Sequence, residues 1–208
     1  MMRELFDKHS CDKGFKHQYE LIYERDFEKI KDKPINILEI GILYGDSIKV
    51  WLEYFPNATI YAIDTFDRVS SEEIEILEDP RVKWKKCDSI SAEAKELWST
   101  IEFDIIIDDG MHNSIFNRNT FINFFDKLKI GGAYYIEDVI QHNIVTPRDR
   151  LKGSYLETLP NRFYQINGSI DKYNSMLDTF RRKGKSVFIY DTREPSKRID
   201  SCIIKITK

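Results

Sequence analysis

Along the chain, short apolar runs of strand length alternate with longer amphipathic stretches, the pattern of a parallel sheet covered by helices on both faces. Ile35 to Ile40, Thr59 to Ile63 and Phe103 to Ile107 each run into an acid or a glycine and read as buried strands. Helices are predicted between them at about 45–54, 70–78 and 91–99. Ser91 is placed to cap the third, with Glu93 and Glu96 in its early turns. Arg81 to Cys87 alternates Val82 and Trp84 with Lys83 and Lys85, which suits an edge strand whose outward lysines block further pairing. A long helix is predicted from Ser114 to Leu128, and Gly131-Gly132 then leads into a fifth strand, Ala133 to Ile136. A last helix over 171–183 ends in Arg181, Arg182 and Lys183 before Gly184, a stop signal. Ser186 to Tyr190 and Cys202 to Thr207 are close enough in sequence to pair antiparallel. The expected fold is α/β: a doubly wound, mostly parallel seven-stranded sheet with an antiparallel last strand.

Two stretches fall outside this alternation. Residues 1–33 read as an N-terminal helical segment. Residues 139–171 lose their periodicity among Pro147, Gly153, Pro160 and Gly168, as an acceptor-binding lid or loop does. With 208 residues and no linker-like tract, a single domain over 1–208 is expected. Hydrophobic residues at 41% and charged residues at 32% exclude a disordered chain, and a net charge of -3 gives no general attraction to nucleic acid or anionic membrane. A small molecule is the expected partner, and a homo-oligomer is compatible with the composition. Charged residues from Arg3 to Lys13 interrupt any signal-peptide core and no run reaches membrane-spanning length, so a cytoplasmic protein is expected. Cys11, Cys87 and Cys202 form no CxxC pair and are expected as free thiols.

The strongest local feature is Leu38-Glu39-Ile40-Gly41-Ile42-Leu43-Tyr44-Gly45-Asp46-Ser47, a strand-turn-helix in which Gly41 and Gly45 let backbone approach a ligand and Ser47 adds a donor. A dinucleotide fingerprint needs G-x-G-x-x-G, and Leu43 and Asp46 stand at two of its glycine positions. A nicotinamide-dependent oxidoreductase is therefore the weaker reading. S-adenosylmethionine lacks a pyrophosphate and tolerates a looser turn, and Glu39 supplies an acid for its cationic amino acid part. Asp64, at the end of the second strand, is placed to accept ribose hydroxyls, and Asp88-Ser89, after the third, to reach an adenine. Asp108-Asp109-Gly110 and Glu137-Asp138 end two further strands. If those are neighbours, up to four carboxylates crowd one edge, which a divalent ion such as Mg²⁺ relieves. Helix capping and pairing with lid arginines are the structural alternatives. His112, three residues after Asp109, is the candidate base for deprotonating an acceptor hydroxyl, and His142 reads as a lid residue.

Together, Asp12-Lys13-Gly14, His17, Tyr19, Tyr23-Glu24, Leu38-Glu39-Ile40-Gly41, Asp108-Asp109-Gly110-Met111-His112, Gly131-Gly132 and Ile136-Glu137-Asp138 resemble the mycinamicin-type macrolide deoxysugar O-methyltransferases. The resemblance spans about residues 10 to 140 and implies a Rossmann-like class I fold. It also implies Asp109, Glu137 and Asp138 as magnesium ligands, His112 as base, and Asp108 among the cofactor-binding residues. Met111 departs from the small residue usual in that family, and the extra N-terminal domain of the macrolide enzymes is not among these residues. The implied reaction is methyl transfer from S-adenosylmethionine to a hydroxyl of a sugar or glycosylated natural product. A SAM-binding module without catalysis is the non-enzymatic alternative.

Overall fold

The computed structural model describes residues 1–139, 162–165, 174–192, 196, 198 and 200–208. In chain order the elements are α1 (Met2–Lys8), α2 (Asp12–Phe15), α3 (Glu20–Phe27), β1 (Asn36–Ile40), α4 (Asp46–Tyr54), β2 (Thr59–Asp64), β3 (Val82–Lys86), α5 (Ala92–Glu96), β4 (Phe103–Asp108), α6 (Ser114–Phe124), β5 (Leu128–Ile136), β6 (Arg162–Gln165), α7 (Asn174–Lys183), β7 (Ser186–Asp191) and β8 (Cys202–Thr207). The strands form one sheet in the order β3-β2-β1-β4-β5-β8-β7-β6. From β3 to β5 every pairing is parallel, and from β5 outward every pairing is antiparallel. The seven anticipated strands are present. One short edge strand, β6, is added from within the 139–171 stretch, of which residues 140–161 and 166–171 lie outside the described residues together with His142.

Three elements differ from the sequence expectation. Residues 70–78 form two 3-10 turns, Ser71–Glu73 and Glu75–Glu78, rather than an α-helix. Acids at 72, 73, 75, 78 and 79 would repel one another at helical spacing, and Pro80 disfavours helical backbone at Asp79. The helix capped by the Ser91 hydroxyl, which accepts from the Ala94 N–H at 3.1 Å, stops at Glu96 because Leu97 is extended and Trp98 has φ +50°. That turn sends Trp98 against Tyr61 and Phe103. Likewise α6 tightens into a 3-10 turn over Phe125–Lys127, so that β5 begins at Leu128, before the two glycines.

The period of two along each strand divides the core into two layers. Ile37, Ile105, Ile107 and Tyr135 face the layer made by α1, α3 and α4, whereas Leu38, Ile40, Ile106, Tyr134 and Ile136 face α5, α6 and α7. In the first layer Tyr23 and Phe27 of α3 meet Trp51 of α4 and Tyr135 of β5 edge to face, at centroid distances of 5.3 to 6.1 Å. Each such pair adds roughly 0.5–1.5 kcal/mol to the burial of its rings. This packing fixes the N-terminal segment against the sheet, with α2 and the start of α3 over the carboxyl ends of β1, β4 and β5.

Candidate active site

The strand ends line up because the parallel ladder continues one residue past each strand. Cys87 N–H donates to Asp64 O, Gly41 N–H to Ile63 O, Asp109 N–H to Ile40 O, and Glu137 N–H to Asp108 O, at 2.9 to 3.0 Å. Asp109 and Glu137 therefore sit side by side at the β4 and β5 tips, with Glu39 two positions before Gly41 on the same face. Strand parity sends Glu39, Asp109 and Glu137 toward the N-terminal helices and Asp108 to the other layer.

On the first face the three acids meet a lysine. Lys13, on α2 and 2% exposed, places Nζ 2.5 Å from Asp109 Oδ2, 2.6 Å from Glu137 Oε2 and 3.6 Å from Glu39 Oε1. Burial alone would lower its pKa, but Asp109, Glu137 and Glu39 outweigh that and hold it well above the usual lysine value, as an ammonium. The Tyr23 hydroxyl donates to Glu137 Oε1, so both oxygens of that carboxylate have donors. Glu39 is fully buried, accepts from Trp51 Nε1 at 3.1 Å, and is pushed up to about 7 by burial in spite of Lys13. Ser47, on the first turn of α4, is buried as well. One Glu39 oxygen, Oε1, is buried without a hydrogen-bond partner among the described residues.

On the second face Asp108 accepts from Asn117 Nδ2 at 3.1 Å, from the Gly110 N–H at 3.4 Å and from the Tyr134 hydroxyl at 3.4 Å. It is 1% exposed, and burial pushes its carboxyl up to about 6. Its position is that of a brace for the loop after β4.

Asp109, His112 and Asp138 form a separate group, each offering one ligand atom within 4.8 Å of the others. His112 Nε2 lies 4.0 Å from Asp109 Oδ1, and its ring is partly open to solvent. Asp138 accepts from the Tyr19 hydroxyl at 2.8 Å. His112 and Asp138 both have φ +51°, a conformation that costs a non-glycine residue on the order of 1 kcal/mol or more and that concentrates at functional sites. Of the expected magnesium ligands, Asp109 and Asp138 thus converge on His112; Glu137 shares Lys13 with Asp109 and accepts from Tyr23, outside this group. In the sequence Lys13 stands only as the middle residue of Asp12-Lys13-Gly14. Nothing in a lone Asp-Lys-Gly signals that the lysine crosses 96 residues to Asp109.

The glycine turn packs against this group. Gly41 has φ +95°, and a Cβ there would stand 2.3 Å from the Asp109 carbonyl oxygen, so glycine is required for the β1 and β4 loops to touch. Leu43, at φ +50° and 43% exposed, occupies the place where a dinucleotide fingerprint needs glycine. Asp64 Oδ2 accepts from the Ile42 and Leu43 N–H groups at 2.6 and 3.2 Å, and Oδ1 from Phe66 N–H at 2.7 Å. That carboxylate holds the turn in shape at the edge where a ribose is expected. Asp88 is exposed and accepts from Ile90 N–H at 3.1 Å, while the Ser89 hydroxyl lies 2.7 Å from Thr120 Oγ1.

No protein-family model matches the chain. Sequence comparison finds an 8-demethyl-8-alpha-L-rhamnosyl tetracenomycin-C 2'-O-methyltransferase of Streptomyces olivaceus, 32% identical over 141 residues, covering 64% of this chain and 36% of the relative. Mycinamicin VI 2''-O-methyltransferase of Micromonospora griseorubida is 30% identical over 135 residues, covering 61% of this chain and 32% of the relative. The chain spans about a third of the length of the curated relatives it matches. Among solved structures, the MycE methyltransferase of the mycinamycin biosynthetic pathway, in complex with Mg and SAH, is 31% identical, with a TM-score of 0.59 over 66% of this chain and 39% of that one. Aeropyrum pernix fibrillarin with bound S-adenosyl-L-methionine, 16% identical, covers 85% of this chain and 67% of its own at TM-score 0.57 and shares the fold. The sheet is that of the Rossmann-like class I methyltransferases, and the chain is similar in sequence to the deoxysugar O-methyltransferases of antibiotic pathways.

Proposed function

We propose that the chain is a SAM-dependent O-methyltransferase acting on a hydroxyl of a small acceptor, a sugar or glycosylated natural product. The observation that carries this reading is the convergence of Asp109, His112 and Asp138 beside the Gly41 turn, at the carboxyl edge of the sheet where ligands bind in open α/β folds. The similarity to sugar O-methyltransferases, one of them solved with Mg and SAH, supports it.

In this reading the cofactor lies along the β1, β2 and β3 tips. Gly41, Gly45 and Ser47 form the turn that receives it, Glu39 faces its amino acid end, Asp64 its ribose, and Asp88 and Ser89 its adenine. Asp108 braces the loop that carries Asp109 and His112. Asp109 and Asp138 offer the oxygen donors that a magnesium ion takes and would hold it, with Glu137 contributing charge from beside Lys13. When bound, the ion acts as a Lewis acid that makes the acceptor hydroxyl easier to deprotonate. His112 Nε2 takes the hydroxyl proton as the oxygen attacks the methyl carbon. The new O–C bond forms as the S–C bond breaks, and the sulfonium leaves as a neutral thioether. Asp109→Ala and His112→Ala are each expected to cut turnover on a rhamnosylated acceptor by about 10²–10⁴, while S-adenosylhomocysteine affinity by calorimetry stays within a few-fold. Full turnover in both variants would remove the base and metal assignments.

A further inference from the structure

The reading of Asp109 and Asp138 as cation ligands leaves open what aims them. We propose that Tyr19, assisted by His17, is the positioning residue that turns the Asp138 carboxylate toward the cation; this inference rests on the reading just given. The Tyr19 hydroxyl is fully buried and meets two backbone donors, Cys202 N–H at 3.1 Å and Asp138 N–H at 3.3 Å. A phenol has two lone pairs and one proton. Cys202 N–H is shared with the Asp200 carbonyl at 2.8 Å, and the phenol proton has two acceptors in reach: Asp138 Oδ1 at 2.8 Å and the Cys202 carbonyl at 3.5 Å. The shorter bond, to Asp138, wins. His17 stacks on Tyr19 with ring centroids 5.2 Å apart and brings Nδ1 within 3.3 Å of the same carboxylate oxygen, with Ser201 Oγ 3.0 Å from that nitrogen.

Oδ1 is thus committed to the N-terminal segment, and Oδ2 accepts no hydrogen bond from the described residues. Tyr19 also spans β5 and β8 by holding the N–H of Asp138 and of Cys202, which supports the φ of +51° at Asp138. One turn along the same segment, Tyr23 is equally buried and donates to Glu137, outside the convergent group. Two tyrosines with the same chemistry therefore serve different carboxylates, which makes each a control for the other.

The test is titration of Mn²⁺ alone into the full chain, followed by electron paramagnetic resonance, with S-adenosylhomocysteine affinity measured in parallel. Tyr19→Phe is expected to weaken Mn²⁺ binding by about 10–100-fold, the usual cost of losing the partner that orients a metal ligand, with S-adenosylhomocysteine affinity held within about twofold. Tyr23→Phe, the same truncation at an equally buried site, is expected to move Mn²⁺ affinity by less than about threefold. Unchanged Mn²⁺ affinity in Tyr19→Phe, or an equal loss in Tyr23→Phe, overturns the assignment. Should Tyr19→Phe not fold, His17→Phe keeps the stacked ring and removes the second contact. A several-fold loss there supports the proposal, and none refutes it. A wild-type chain that binds S-adenosylhomocysteine but no Mn²⁺ fails at the earlier step, the ligand assignment itself, and takes this inference with it.

Discussion

Asp108 and Asp109 are adjacent in sequence and both stand at the tip of β4, yet one position along a strand puts them in different chemistry. Asp109 turns to the N-terminal helices, where Lys13 holds it together with Glu137 and near Glu39. Asp108 turns to α6, where neutral donors from Asn117, Tyr134 and the Gly110 backbone satisfy it. The first face stabilises acids by charge, the second by hydrogen bonds alone. A charged network loses most when one member is removed, because the remaining charges stay buried. A neutral one tolerates loss of charge on its acceptor. The contrast teaches that two consecutive acids at a strand tip belong to two different sites.

The sharpest way to break the comparison is at Lys13. Lys13→Met leaves Asp109, Glu137 and Glu39 facing one another without a cation, and urea unfolding at pH 7 is expected to show a loss of about 3–5 kcal/mol. A loss below about 1 kcal/mol would mean that the charged face is not held by this lysine.

Glu39 gives the next largest effect, with the opposite sign and a dependence on pH. Its carboxyl is raised to about 7 from an ordinary 4.5, chiefly by burial. The folded state therefore binds a proton that the unfolded state releases, and this contribution is full below about pH 4.5 and lost as pH rises to 7. Glu39→Gln removes that loss. It is expected to leave stability nearly unchanged at pH 4.5 and to raise it by roughly 3–3.5 kcal/mol at and above pH 7, since each pKa unit corresponds to ~1.4 kcal/mol. Cofactor affinity should fall in the same variant. Melting temperatures measured across that range, beside calorimetry with S-adenosylhomocysteine, check both halves.

The smallest effect is expected on the second face. Asp108→Asn with its amide oxygen at the Oδ2 position keeps the acceptor for Asn117 and Tyr134 and gives up only the 3.4 Å bond from Gly110, so stability should change by about 1 kcal/mol and S-adenosylhomocysteine affinity by less than about threefold. A large loss of affinity would place Asp108 in contact with the cofactor and make the two faces more alike than their geometry suggests.

Much of the fold was legible before any coordinates. The alternation of apolar runs with amphipathic stretches located seven strands, and the Ser91 cap and the antiparallel pair β7 and β8 followed from local chemistry. What failed locally failed for local competition, as where a run of acids before Pro80 turned a helix into two 3-10 turns. The convergence of Asp109, His112 and Asp138 was also foreseeable, because neighbouring parallel strands deliver their tips to one edge. Among the described residues, no helix is long and apolar enough to cross a membrane.

What the sequence by itself determined, then, is the set of acids and their edge: strand periodicity and the position of each acid after an apolar run are local properties. Only the tertiary structure decided how the acids are divided. Parity along β1, β4 and β5 separates Asp108 from its neighbour, but the partners that give this division its meaning, Lys13, His17, Tyr19 and Tyr23, come from a segment about a hundred residues away in sequence. They are placed by aromatic packing of α3 against Trp51 and Tyr135, and no local pattern encodes it. Burial then sets the energetics, because an ammonium among carboxylates and a phenol beside a carboxyl group have fixed roles only where water is excluded.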